Sequence, residues 1–112
     1  MRYLLMPCLD GIPEPDAVEE QLRRDLDAWL ELVDSRGVRV LGAPLAPAST
    51  ATTVRVRDGR TLLSDGPFVE TKEYLGGIDI LSCATFDEAL ELAAAHPLAR
   101  FHMVEVRPFW GA

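Results

Sequence analysis

The chain has 112 residues, 48% of them hydrophobic and 26% charged, and a net charge of −7. Such a composition describes one globular domain over residues 1–112, able to bury roughly two-thirds of its unfolded surface, and excludes a disordered chain. The acidic balance argues against nucleic acid and anionic membranes as partners, and no stretch nears the roughly 20 apolar residues of a spanning helix.

Residues Arg2 to Leu9 open the chain with apolar side chains on both alternating faces, Tyr3 and Leu5 on one, Leu4 and Met6 on the other. A strand of that kind is covered on both sides. The apolar run meets Pro7 and Asp10 too soon for a signal peptide, so a cytoplasmic protein is expected. Asp16 and Glu19 mark a helix start. Val18, Leu22, Leu26, Trp29, Leu30 and Val33 then recur at helical spacing, with Glu19/Arg23 and Glu20/Arg24 as i,i+4 pairs on the other side. Gly37 is placed for a left-handed cap, and Val38 to Leu41 follows as a short strand.

After a Pro/Ala loop, Asp58-Gly59 joins Thr53–Arg57 to Arg60–Ser64 in a predicted two-residue hairpin. The turn sets Arg57 opposite Arg60 with Arg55 on the same face, a like-charge contact that calls for solvation or a nearby anion. The loop Asp65-Gly66-Pro67-Phe68-Val69-Glu70-Thr71-Lys72-Glu73 comes next, ended by the hinge-like pair Gly76-Gly77. Gly77 to Cys83 reads as a second central strand, with Ile78 and Ile80 facing one way and Asp79 and Leu81 the other. Thr85 and Glu88 form a capping box for a helix whose apolar face is Phe86, Ala89, Leu90 and Ala93, ended by Pro97. Phe101 to Phe109 is the last strand, with Val104 and Val106 on one face and Met103, Glu105 and Arg107 on the other. Strand-helix-strand, an inserted hairpin and loop, then strand-helix-strand predicts a ferredoxin-like α+β sandwich of βαββαβ order. Both helices cover one sheet face. The other is expected to carry Leu4, Met6, Leu81 and Met103, and an apolar face of that size predicts a homodimer closing sheet on sheet.

Ser49-Thr50-Ala51-Thr52-Thr53-Val54-Arg55-Val56-Arg57-Asp58-Gly59-Arg60, with Ser64 to Glu73, Gly76-Gly77 and Val104-Glu105-Val106-Arg107-Pro108, resembles the DGPF family of the larger YCII-related group. The resemblance covers nearly the whole chain. It implies a dimeric α+β barrel of ferredoxin-like units. It also implies a link to alternative sigma factors in some members, and acid–base work by a His/Asp pair in the wider group, with the His on the first helix. This chain has no His between residues 16 and 36, so that pair is not carried over.

The candidate chemistry gathers in and near the motif loop. Residues 37–74 hold five bases and four acids, whereas residues 1–36 hold four and nine and residues 75–112 two and five. A small anionic ligand therefore finds its most favourable field in the middle segment. Asp65 reads both as a turn carboxylate bonding backbone N–H groups and as a catalytic group. Glu70 and Lys72 project to one side of an extended segment, as a ligand-binding pair or a solvated ion pair. His96, at a helix C-terminus where the macrodipole favours its protonated form, is a candidate acid or base, as is His102. Arg55, Arg57, Glu105 and Arg107 are candidate ligand-binding residues; Glu105 and Arg107 share a strand face and equally suit an interface salt bridge. Cys8 and Cys83 read as reduced thiols, and no spacing matches a metal motif. The leading expectation is cofactor-free acid–base chemistry on a small polar or anionic metabolite in a dimer cleft, with Asp65, Glu70, Lys72 and His96 as the catalytic set. The alternative is a non-enzymatic sensing or interaction module working with a sigma factor.

Overall fold

A computed structural model describes residues 1–9, 14–66 and 74–111. Its elements run β1 (Arg2–Leu9), α1 (Asp16–Ser35), β2 (Arg39–Pro44), β3 (Thr52–Arg57), β4 (Arg60–Asp65), β5 (Tyr74–Leu75), β6 (Gly77–Ser82), α2 (Phe86–Ala95), α3 (Leu98–Phe101) and β7 (Met103–Pro108). The main sheet is antiparallel throughout, in the order β2-β6-β1-β7, with β5 lengthening the β6 side of β1. The two strand-helix-strand units therefore interleave: β6 of the second lies between β1 and β2 of the first. That is the ferredoxin-like arrangement expected from the element order.

Helix α1 ends as its sequence dictates. Gly37 takes φ +68, a conformation that costs a Cβ-free residue nothing. Gly37 N–H donates to Asp34 O at 3.0 Å and Val38 N–H to Val33 O at 3.2 Å, the paired bonds of a Schellman cap. Its start differs from expectation. Pro15 occupies the N-cap position and Asp16 is already helical, with no side-chain cap. The exposed pairing differs too: Arg24 donates to Gln21 Oε1 at 2.9 Å rather than to Glu20. At α2, Thr85 caps as predicted, its hydroxyl accepting from Glu88 N–H at 3.1 Å. Leu92, not Leu90, completes the buried face of α2 together with Ala89 and Ala93. Pro97 does break that helix, but a further turn, α3, follows and absorbs Phe101, so β7 begins only at Met103.

Register decides which side chains lie under the helices. Tyr3 pairs with Leu81 and Leu5 with Asp79 and Val106. One face thus carries Tyr3, Leu5, Leu81, Val104 and Val106, packed with Trp29, Val33, Ala89 and Leu92 into the core. Leu81, expected on the bare face, is fully buried in this core. A shift of one residue in β6 exchanges its faces, and the bare face instead holds Ile78 and Ile80. Leu4, Met6, Cys8, Met103, Glu105 and Arg107 share that face, as the β1–β7 register requires. One helical layer on one sheet makes a slab of 48 × 41 × 17 Å.

The predicted hairpin forms as its own two-stranded sheet. Asp58 and Gly59 take φ +52 and +72, the positive values a type I′ turn needs. Cys8 pairs with Leu75 at one end of β1, while Cys83 N–H bonds Met1 O at the other. The length of the strand separates the two thiols.

Candidate active site

The cavity that gathers ionisable groups opens on the helix side of the sheet, where α1, β2, the β5–β6 junction and the α2–α3 corner meet. It encloses about 140 Å³, and its lining includes Leu26, Leu30, Arg39, Ala43, Gly76, Gly77, Asp79 and His96. That volume is close to the roughly 150 Å³ hollow known to take up a benzene ring. A second hollow, around Asp25, Trp29 and Arg100, is occupied in part by the 2.7 Å Arg100–Asp25 ion pair.

His96 enters the cavity because Pro97 ends α2 at that point. The residue leaves helical geometry at φ −65, ψ 130 and turns its ring into the interior, where it is 2% exposed. The Leu98 N–H donates to Nδ1 at 3.1 Å. The neutral ring therefore carries its hydrogen on Nε2, the one polar atom left to meet a ligand. The Trp29 ring stands edge-on to it at 4.6 Å, and the Trp29 indole N–H is itself held by Leu92 O at 2.8 Å. Burial pushes His96 down to about 4. The expected protonated state is thus corrected: at this corner the loss of hydration outweighs any stabilisation by the helix dipole.

Asp79 is the buried carboxylate of β6. Its strand neighbours Gly77 and Leu81 on the same face are buried as well. Burial raises its carboxyl above the usual aspartate value, and the Arg39 guanidinium, whose Nε lies 3.5 Å from Oδ1, pulls the other way. Arg39 also donates to Gly42 O at 3.1 Å, so it spans the bulge where β2 shifts register against β6. Gly42 makes the pair possible. A methyl group there would collide with Asp79 Oδ1 and approach Arg39 Nη2 within 2.8 Å. Gly76 and Gly77, read as a hinge, are instead a pinned strand junction. Gly76 N–H bonds Pro7 O at 2.8 Å, Leu45 N–H bonds Gly76 O at 3.1 Å, and a Cβ on Gly77 would press on Ala43 O at 3.1 Å.

Of the residues picked from the sequence, His96 lines this cavity. Asp65 ends β4 opposite Thr52, exposed on the two-stranded sheet. Arg55 and Arg57 lie on the same hairpin, exposed, with Arg57 facing Arg60 as the turn dictates. Glu105 and Arg107 pair with each other at 2.7 Å on the uncovered sheet face, both solvated. Glu70 and Lys72 lie outside the described residues. His102 meets Glu14 at 3.1 Å and ties the start of α1 to β7. Among the described residues no group of His, Cys, Asp and Glu converges on a metal-sized site.

Arg39, Asp79 and Gly42 were missed as a set. The available signal was Asp79 itself, the one charge in a strand whose same-face neighbours are Gly77 and Leu81. A carboxylate on a face bound for the core needs a cation beside it. Nothing in the sequence singled out Arg39 as that cation, because the pairing of β2 with β6 spans 40 residues.

An uncharacterised protein of Rhizobium meliloti (strain 1021) is 41% identical over 75 residues, 67% of this chain and 60% of the relative. The match thus spans less than two-thirds of that relative's own length. Among solved structures, the 5-chloro-2-hydroxyhydroquinone dehydrochlorinase of Burkholderia phenoliruptrix AC1100, in complex with 2,5-dihydroxybenzoquinone, superposes with a TM-score of 0.58. It is 16% identical, with 97% of this chain and 93% of that one covered, a likeness of fold. The YCII-related domain family matches residues 1–110, and with its interleaved strand-helix-strand units the chain belongs to that family.

Proposed function

We propose that the protein binds a small polar or anionic metabolite in the His96 cavity and carries out acid–base chemistry on it without a cofactor. The observation that carries this reading is the convergence of His96, Asp79 and Arg39 on one hollow of about 140 Å³. Its size suits a single ring or a short oxo-acid. The roles follow from protonation. With Nδ1 engaged, His96 offers Nε2–H as a hydrogen-bond donor, suited to an oxygen on which negative charge develops. Asp79, its carboxyl raised by burial, is the group placed to accept and return a proton. Arg39 holds Asp79 in place and adds positive charge toward an anionic substrate. Proton removal next to a stabilised oxygen is also the kind of step a dehydrochlorination requires, which makes the ring-sized ligand of the structural neighbour a useful probe.

The same reading places the protein in a homodimer closed through its uncovered sheet face. Leu4, Met6, Ile78 and Ile80 are only half-buried there and Met103 is exposed, an apolar surface bordered by the Glu105–Arg107 pair, of the sort that marks an interface.

Thermal-shift and 1H NMR exchange measurements test the site. The protein should be stabilised by 2,5-dihydroxybenzoquinone or by small oxo-acids, and should speed solvent-deuterium exchange of an enolisable proton. Asp79→Asn should abolish the exchange and Arg39→Met the stabilisation. Equal responses in all three proteins, or no response to any of these compounds, would reject the site.

A further inference from the structure

Among the described residues the β3–β4 hairpin forms a separate two-stranded sheet with two unlike faces. Residues directly opposite across an antiparallel pair share a face. The register Val54↔Leu63 and Val56↔Thr61 therefore puts Val54, Val56, Thr61 and Leu63 together, and Arg55↔Leu62 and Arg57↔Arg60 put the three arginines on the reverse. The apolar side is 59% exposed at Val54, 58% at Val56 and 68% at Leu63. An isolated two-stranded ribbon is marginal in water and needs a surface to lie on. This one extends from a molecule whose radius of gyration, 16.1 Å, exceeds the roughly 13 Å of a compact chain of about this length.

We propose that the hairpin is an arm that lies, apolar face down, on a second copy of this chain. Two observations select a second copy over a foreign partner. The first is area. Three half-exposed side chains supply at most a few hundred Å², short of the roughly 1,000 Å² a specific contact needs. The arm therefore works as an extension of a larger interface, and the uncovered sheet face of the same chain provides one; in this the inference rests on the homodimer reading above. The second is charge. Residues 52–65 carry three arginines against two aspartates, so a chain of net −7 leaves −8 on the remainder. An arm of net positive charge is attracted to a second acidic body and offsets part of the repulsion between the two acidic bodies. Six residues per strand give the arm a reach of roughly 20 Å.

Sedimentation equilibrium on the full chain tests the arm. Val54→Glu/Leu63→Glu should weaken self-association about tenfold or more. Its far-UV CD and melting temperature at low protein concentration should stay unchanged, because neither residue touches the core. Ile80→Asp, on the sheet face, reports on the main interface. If Ile80→Asp dissociates the dimer and Val54→Glu/Leu63→Glu leaves its dissociation constant unchanged, the arm proposal fails and the sheet-to-sheet dimer stands. A chain that is monomeric before any substitution overturns both.

Discussion

The buried imidazole makes a quantitative demand on the pH dependence of stability. His96 falls from an ordinary 6.5 to about 4 in the folded protein. Between those values the unfolded chain binds a proton that the folded chain refuses, so stability falls as pH is lowered through the window and is fully present above it. A difference of roughly 2.5 pH units at 1.36 kcal/mol each amounts to about 3 kcal/mol, a substantial part of the stability of a small domain. Geometry reinforces desolvation here, since a proton on Nδ1 would face the Leu98 N–H that now donates to it. His96→Asn isolates the effect. Its Oδ1 can still accept from Leu98 N–H, but it does not titrate, so the carboxylates that also titrate at low pH cancel in the difference. Urea unfolding at pH 7.5, 6.5, 5.5 and 4.5 should show the wild type losing about 1.4 kcal/mol per pH unit relative to the variant below pH 6. NMR titration of the His96 Hε1 resonance should give a midpoint near 4. A flat difference curve, or a midpoint near 6.5, would refute the burial argument and with it the neutral Nε2–H donor.

Gly42→Ala should cost about 1–3 kcal/mol, the usual range for overpacking, and should displace Asp79, read as a lower Tm together with loss of ligand stabilisation; an unchanged Tm would mean that the β2 bulge relaxes. Asp79→Asn should change stability at pH 7 by less than about 1 kcal/mol, since the carboxylate is desolvated more than it is stabilised and Arg39, still partly solvated and bonded to Gly42 O, is not left as a buried unpaired charge; a loss of several kcal/mol would show the pair to be structural. Thr85→Ala removes the 3.1 Å cap on Glu88 N–H and should cost about 1 kcal/mol in urea unfolding.

Local signals are legible in the residues alone. The bounds of β1, the Gly37 cap, the Thr85 cap and the Asp58-Gly59 turn each rest on a few neighbouring residues whose backbone preferences act within one turn of chain. So did the interleaved ferredoxin-like order, because the periodicities of 2 and 3.6 alternate along the chain in that order. The face of a strand is less local. Alternation shows that Leu81 and Asp79 lie together but not which way they look, and only the pairing with Tyr3 and Leu5 turned them under the helices. The site was harder still. The motif loop drew attention by its density of polar side chains, yet the hollow formed where chain segments distant in sequence converge.

Element order, the caps, the turn and the residue types on each alternating face are legible in the chain, since each is set by steric and hydrogen-bonding preferences over a few residues. That Asp79 faces Arg39 across a bulge, that Gly42 must lack a side chain, and that the His96 ring is dehydrated and neutral emerge only in the folded chain. Those properties depend on strand register and on exclusion of water by remote segments, and no window of sequence contains them.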